Sequence, residues 1–366
     1  MVTVTLSTTG CEKRPATLIV ERQTLVPGPK GSPNAIARTE AGELIVAGGR
    51  FTAWAFGASA DGKLLWKYEE AHDDTIKTQY HGEFKGVVPL SSGNTLLCGE
   101  TQSRSGGGLI VVLDQSGQLV ERRTLFPNDE PKYFTASFEG CMPWNGSVLL
   151  LGRASDGTHP GSWFMRLDMT GKKVWELFTP EIPSHRAVQT PDGGLIVTDP
   201  AAGGTLVARL NRNFEVIARR TLTSSADALL RPVDGASDTT RLVVYTYDGK
   251  VRLFTLNGQL QDERKPQAIK GVGVNQGCGY VLSDGSLALF GSTLQRGTGR
   301  AAAAHLRPGQ FIEVRSLDEA ESDAFTATLT VTDAVPITKT RFVAASERNS
   351  RFANDAGVVL SWLRFE

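Results

Sequence analysis

The chain has 366 residues, among them 39 glycines and only four cysteines, and 39 lysines and arginines balance 39 aspartates and glutamates. Zero net charge argues against a nucleic-acid binder or a polybasic membrane binder. No apolar run reaches the roughly 18 residues of a membrane-spanning helix, and an apolar fraction of 40% argues against disorder. The length exceeds the roughly 250–300 residues at which single cores stop growing, so the chain holds either two domains or a repeated unit. The glycine excess has three readings: flexible linkers, phosphate loops or many turns.

In chain order, Met1–Gly10 carries no charged side chain and is followed by Cys11. This resembles the tail of a bacterial lipoprotein signal with cleavage before Cys11, although a basic start and a full apolar segment are missing. Cys11 is therefore the lipidation candidate, with residues 1–16 read as a leader remnant or flexible tether and 17–366 as one domain. The first predicted element is a strand at Thr17–Val26. Then a segment of turn residue, apolar residues and small residues recurs: GELIVAGG from Gly42, GNTLLCGE from Gly93, GSVLLLGR from Gly146, GGLIVTD from Gly193, TRLVVYTY from Thr240, GSLALFGS from Gly285 and TRFVAAS from Thr340. Successive copies start 51, 53, 47, 47, 45 and 55 residues apart. That spacing is close to the roughly 40–50 residues of a four-stranded propeller blade.

Most copies are followed by a second apolar run that ends in a turn signal, as in LIVVLDQSG (Leu109–Gly117) and WFMRLDMTG (Trp163–Gly171). Asx before Gly is hairpin chemistry, because the Asx side chain bonds nearby backbone and Gly supplies positive φ. A third run follows these, and a fourth precedes the glycine-led copies, for example FKGVVPL (Phe84–Leu90) and FEGCMPW (Phe138–Trp144). Four short strands per period, without helical periodicity, predict an all-β chain. The last period has a strand near Ala324–Thr332, one near Arg341–Ser346 and one near Gly357–Phe365, and no fourth. The strand Thr17–Val26 resembles the fourth strands elsewhere: Val20–Leu25 reads VERQTL, and Val120–Leu125 reads VERRTL. The expectation is a seven-bladed β-propeller of four-stranded blades, its ring closed by the N-terminal strand completing the last blade. Six or eight blades are the alternatives.

DGKLLWKYE (Asp61–Glu69) and TGKKVWELF (Thr170–Phe178) resemble the outer hairpin of PQQ-like propeller repeats, with Kelch-like propellers a looser match. The resemblance implies an architecture shared by dehydrogenases, assembly lipoproteins, binding scaffolds and glycan enzymes, so it does not choose a function. No residue set carries over as ligands of a quinone cofactor or calcium, so no cofactor is expected. Ser59–Trp66 resembles an Asp-box one residue short and is read as a turn. Trp66 and Trp175 are read as packing between blades.

The cysteines Cys98, Cys141 and Cys278 have no zinc spacing, and no metal site is expected. Cys98 falls late in a second strand and Cys141 late in a first strand. Antiparallel directions place them near opposite faces, which argues against a disulfide. Several connections between second and third strands are long: Thr101–Gly108, Arg153–Gly161, Ser292–Arg300 and Ser346–Asp355. Function concentrates on loops held by a rigid scaffold, which favours this long-loop face. It collects Arg104, Arg153, Arg186, Arg296, Arg300, Arg348 and Arg351, whose forks suit carboxylate, phosphate or an acidic protein. It also collects His72, His81, His159 and His185, of which His81, His159 and His185 are the catalytic candidates. His305 is read as a core residue. No nucleophile elbow, phosphate loop or zinc-protease motif is present.

The sequence reading is a non-catalytic, exported binding module, periplasmic or anchored to the outer membrane. It would recognise a protein or peptide partner, either an envelope assembly factor or a toxin that it neutralises, with no nucleic acid involved. The alternative is a hydrolase or lyase acting on glycans or envelope polymers at the channel mouth. A quinone-dependent dehydrogenase is the third reading.

Overall fold

A computed structural model describes residues 18–365, apart from 28–30, 50–51, 71–81, 102–105, 130–134, 183, 202–203, 223–227, 230, 233–241, 246–250, 255–259, 265–274, 296–297, 307–312, 318–327 and 349–356. The described residues are strands joined by turns, with one turn of 3-10 helix at Pro127–Asp129. In chain order the strands are β1 (Leu18–Pro27); β2 (Ser32–Arg38), β3 (Leu44–Gly49), β4 (Trp54–Ala58) and β5 (Leu64–Glu69); β6 (Gly82–Pro89), β7 (Thr95–Thr101), β8 (Gly108–Leu113) and β9 (Leu119–Leu125). Next come β10 (Thr135–Trp144), β11 (Ser147–Ser155), β12 (Pro160–Leu167) and β13 (Lys173–Thr179), then β14 (Arg186–Gln189), β15 (Leu195–Ala201), β16 (Gly204–Leu210) and β17 (Val216–Leu222). The chain continues with β18 (Ala228–Leu229), β19 (Arg231–Pro232), β20 (Leu242–Tyr245), β21 (Val251–Phe254) and β22 (Leu260–Arg264). Last are β23 (Asn275–Val281), β24 (Leu287–Gln295), β25 (Thr298–Leu306), β26 (Glu313–Ser316), β27 (Thr328–Pro336), β28 (Arg341–Arg348) and β29 (Gly357–Phe365).

These strands form antiparallel meanders in a propeller-like arrangement. The expected seven separate four-stranded blades need correcting. Among the described residues four sheets are four-stranded: β1-β29-β28-β27, β10–β13, β14–β17 and β18-β20-β21-β22. The meanders β2–β5 and β6–β9 merge into one eight-stranded sheet, because Gly49 at the end of β3 pairs with Glu83 of β6. The short strand β19 leaves its neighbours and pairs parallel with β23, which makes a five-stranded sheet. Among the described residues no hydrogen-bonded seam joins the sheets into a closed ring. The strand predicted near Ala324–Thr332 is β27 at Thr328–Pro336.

Strand β1 pairs antiparallel with β29 from Leu18↔Phe365 to Pro27↔Gly357. Gln23 Nε2 donates to the Leu317 carbonyl at 2.7 Å and to Ser361 Oγ at 3.0 Å. The Arg22 guanidinium lies 3.9 Å from the Trp362 ring centre, a cation–π contact.

The core is a set of layers between neighbouring meanders. Phe56, Val46 and Trp54 pack on Val343, Leu360 and Trp362; Ile45 and Ala55 pack on Phe84, Leu97 and Val111; Cys98 and Ile110 pack on Phe138, Leu150 and Trp163. Third strands such as β4 and β8 are wholly buried, whereas the outer strand β9 is mostly exposed. Trp66 lies against Gly57 and the turn glycine Gly117 of the following repeat. Trp175 meets Phe214 of the following repeat edge-on, with ring centres 4.8 Å apart. His305 is 2% exposed, with Nε2 3.1 Å from Ser286 Oγ and its ring edge-on to Phe365.

The turns follow the predicted chemistry. Asp114 accepts from the Ser116 and Gln118 amides, and Asp168 from those of Thr170 and Lys172. These bonds hold both carboxyls below the usual carboxylate range, led by the Gln118 amide for Asp114 and the Thr170 hydroxyl for Asp168. Ser59 bonds Asp61 within such a turn.

Candidate functional site

The site is built by an irregularity in the innermost strands. In β2, β6, β10 and β27 the register slips at Asn34, Lys85, Glu139 and Thr332, each an extra residue opposed to none on the next strand. Such bulges re-aim a side chain and leave it out of the ladder. Opposite them the second strand carries Gly48, Gly99, Gly152 and Ser346. A Cβ at Gly48, Gly99 or Gly152 would collide with the carbonyl of Ser32, Glu83 or Ser137. Glycine is thus required at the end of the repeated motif for close backbone approach as well as at its start for the turn.

All four bulged residues line a central cavity of about 730 Å³. In the fourth repeat β14 has no bulge, and His185, whose amide donates to the Thr198 carbonyl at 2.9 Å, supplies the lining side chain instead. A chain of polar contacts runs along the wall. Asn34 Nδ2 donates to Glu83 Oε2 at 3.4 Å and to the Phe84 carbonyl at 2.9 Å. Lys85 Nζ lies 3.3 Å from Glu83, 3.4 Å from Glu100 and 3.4 Å from Glu139. Ser137 Oγ donates to Glu139 Oε1 at 3.0 Å, and Glu139 Oε2 is 3.9 Å from His185 Nδ1.

The electrostatics of this chain are mutual. Burial alone would lower the Lys85 pKa, but Glu139, Glu100 and Glu83 outweigh it and raise the value. Burial likewise raises the Glu139 carboxyl, but Lys85, Ser137, Arg153 and His185 outweigh it and lower the value. His185 is pushed down to about 4, by burial first and Arg186 second, against the opposing pull of Glu139. It is neutral at pH 7, and its sealed Nδ1 has no hydrogen-bond partner among the described residues. The wall therefore holds charges that are paired with one another and one neutral imidazole that lines the cavity.

Of the sequence candidates, Arg153 pairs with Asp199. Burial raises the Asp199 carboxyl, with Arg153 opposing. Arg186 and His185 line the cavity. Arg348 ends β28 opposite Gly357 and lies beside Glu347, which accepts from Ser32 Oγ at 2.7 Å. Arg300 sits in β25 opposite Thr293. His159 is 81% exposed and turns back on its own loop, with Nδ1 3.2 Å from Asp156 Oδ2 and 2.8 Å from Thr158 Oγ1. It does not line the cavity with His185. Cys11, His72, His81, Arg104, Arg296 and Arg351 lie outside the described residues. Sequence reasoning missed Asn34, Glu83, Lys85, Glu100 and Glu139. A signal for two of them was present in the recurrence of Phe-Lys-Gly at Phe84–Gly86 and Phe-Glu-Gly at Phe138–Gly140.

The expected separation of Cys98 from Cys141 is overturned. Both sulfurs lie 2.7 Å from the point where a Gly86 Cβ would sit. The two strands do run in opposite directions, but each cysteine falls at mid-strand height, so direction does not part them. Among the described residues no three His, Cys, Asp or Glu side chains are placed to hold a metal ion, and no helix is long and apolar enough to cross a membrane.

No protein-family model matches the chain, and no curated protein matches its sequence. Solved structures do match its backbone along nearly the whole length. BamB from Moraxella catarrhalis aligns with a TM-score of 0.52 at 15% identity, covering 95% of this chain and 98% of that one. The fold is that of a β-propeller. A structure of YCF48 bound to D1 peptide aligns at 0.56 and 10% identity, covering 96% of each chain. BBS1N in complex with ARL6DN aligns at 0.57 and 10%, covering 96% and 97%. At such identities the likeness concerns the propeller fold and assigns no residue.

Proposed function

We propose that this propeller is a non-catalytic, exported binding module that recognises a protein or peptide segment through the face onto which the central cavity opens. The observation that carries the reading is the polar wall running from Asn34 through Glu83, Lys85 and Glu139 to His185. It spans the innermost strands of consecutive repeats and borders a space of about 730 Å³, large enough for several side chains of a bound segment. Asn34, Glu83 and His185 lie at or just before the start of their first strands, the edge from which the long loops leave, and Lys85 and Glu139 lie at mid-strand. Arg153, Arg186 and Arg348 flank the same edge. Propellers of the same fold have been solved with a D1 peptide bound and in complex with ARL6DN, which supports a protein ligand here. The partner in this reading is an envelope assembly factor or a toxin, with Cys11 as the anchor.

The experiment is selection of a random peptide display library on the purified protein, followed by titration of the enriched peptides. Binding should weaken at least about tenfold in both His185→Ala and Arg186→Ala. Peptides that bind both variants as tightly as the parent would overturn the assignment of this face.

A further inference from the structure

We propose that Cys98 and Cys141 form an oxidisable thiol pair set into the cavity wall, which reacts with low-molecular-weight disulfides and closes to a cross-link between β7 and β10. The inference is independent of the binding reading. Three observations carry it. Both sulfurs flank Gly86, each 2.7 Å from the position its Cβ would take, so only a residue without a side chain lets them approach. Cys141 stands close enough to Cys98 to help raise the Cys98 thiol, after burial. Cys141 lines the cavity and is partly exposed, whereas Cys98 is fully buried behind it. One thiol therefore meets reagents from the cavity, and the other meets only its neighbour.

The chemistry follows from that asymmetry. The Cys141 thiol gives its proton to water, and its sulfur attacks one sulfur of the disulfide reagent. A Cys141–reagent bond forms, the reagent's own S–S bond breaks, and the first reagent thiolate leaves. Cys98, deprotonated in turn, attacks the Cys141 sulfur and expels the second thiolate. The protein loses two electrons and two protons, and the disulfide reagent is reduced to two thiols. Burial pushes the Cys98 thiol well up, so the second step is the slower one at neutral pH. The link would tie consecutive repeats together two residues from Glu139, fixing the strand that carries the ionic wall.

The test uses the full chain with Cys11→Ser and Cys278→Ser, so that only the pair remains. Native protein is equilibrated with oxidised glutathione, alkylated under denaturing conditions, and digested with trypsin without reduction. The expected product joins residues 86–104 to 133–153, with free thiols falling from two to none in most molecules. In Cys98→Ser the same treatment should trap Cys141 as a stable mixed disulfide. Should that variant fail to fold, the peptide map of the parent decides alone. A parent in which Cys141 carries glutathione while Cys98 is alkylated, or in which neither thiol reacts in the native state, overturns the proposal.

Discussion

Lys85 Nζ and Glu139 Oε2 stand 3.4 Å apart, and the two residues hold the same bulged position in consecutive repeats. The repeat thus uses one backbone irregularity twice, with opposite charges, and places the pair across the seam between two meanders. Lys85 also neutralises Glu83 and Glu100, so its removal leaves three carboxylates facing one another in a partly buried space. Breaking one partner of such a cluster costs more than the pair contributes. Lys85→Met should lower unfolding free energy by about 2 kcal/mol in urea titration, discounted from the fully buried case for partial exposure. Adding Glu139→Gln should recover part of that loss, with a coupling of about 1 kcal/mol in the double-mutant cycle.

The glycines within the strands divide into two physical kinds, which substitution separates. Gly99 faces the Glu83 carbonyl so closely that a methyl group must displace backbone, whereas a Cβ on Gly140 meets nothing within 4 Å. Gly99→Ala should destabilise by about 2–3 kcal/mol and Gly140→Ala by less than about 0.5 kcal/mol. Thermal melts of the two variants beside the parent check this. Equal effects would mean that the bulge does not demand the glycine.

The same contrast shows what could be read from the sequence. Gly42, Gly93, Gly193 and Gly285 adopt φ between 78° and 88°, and their place before an apolar run announces a turn because turn chemistry is local. Gly48, Gly99 and Gly152 serve a contact with another strand, and nothing in their neighbours states that. The strand at Thr17–Val26 was legible because it repeats a motif found elsewhere. Merging of β2–β5 with β6–β9 was not, since it rests on a single backbone pair at Gly49 and Glu83. Choosing arginines and histidines by loop position found Arg186 and His185 and passed over Lys85 and Glu139, because those two sit in strands where an alternating pattern hides a bulge.

Strand β1 covers the edge of β29, and its first residue, Leu18, is fully buried among Phe342, Leu363 and Phe365. An aspartate there would bury a carboxylate without a partner, so Leu18→Asp should cost more than about 3 kcal/mol. Val216, at the start of the outer strand β17, is 43% exposed; Val216→Asp should stay within about 0.5 kcal/mol of the parent. Chemical denaturation separates the two, and binding of a hydrophobic dye should rise only in the Leu18 variant.

His185 gives the cavity a defined acid response. Its pKa falls from 6.5 in the unfolded chain to about 4 in the folded one, so between those values the unfolded state binds more protons. Stability from this group is therefore complete above pH 6.5 and is lost as pH falls towards 4. The shift corresponds to about 3 kcal/mol at most; with the side chain about a third exposed, screening reduces this to about 1–2 kcal/mol. Glu139 acts in a separate window. Its folded value is depressed, so its contribution is present above the ordinary carboxylate range near 4.3 and fades only at lower pH. Unfolding free energies measured at pH 7, 5.5 and 4.5 should decline in the parent, and His185→Gln should flatten that decline. Glu139→Gln should leave the slope over this range in place, because the proton taken up there belongs to the imidazole. An unchanged slope in His185→Gln would assign the acid response to another group.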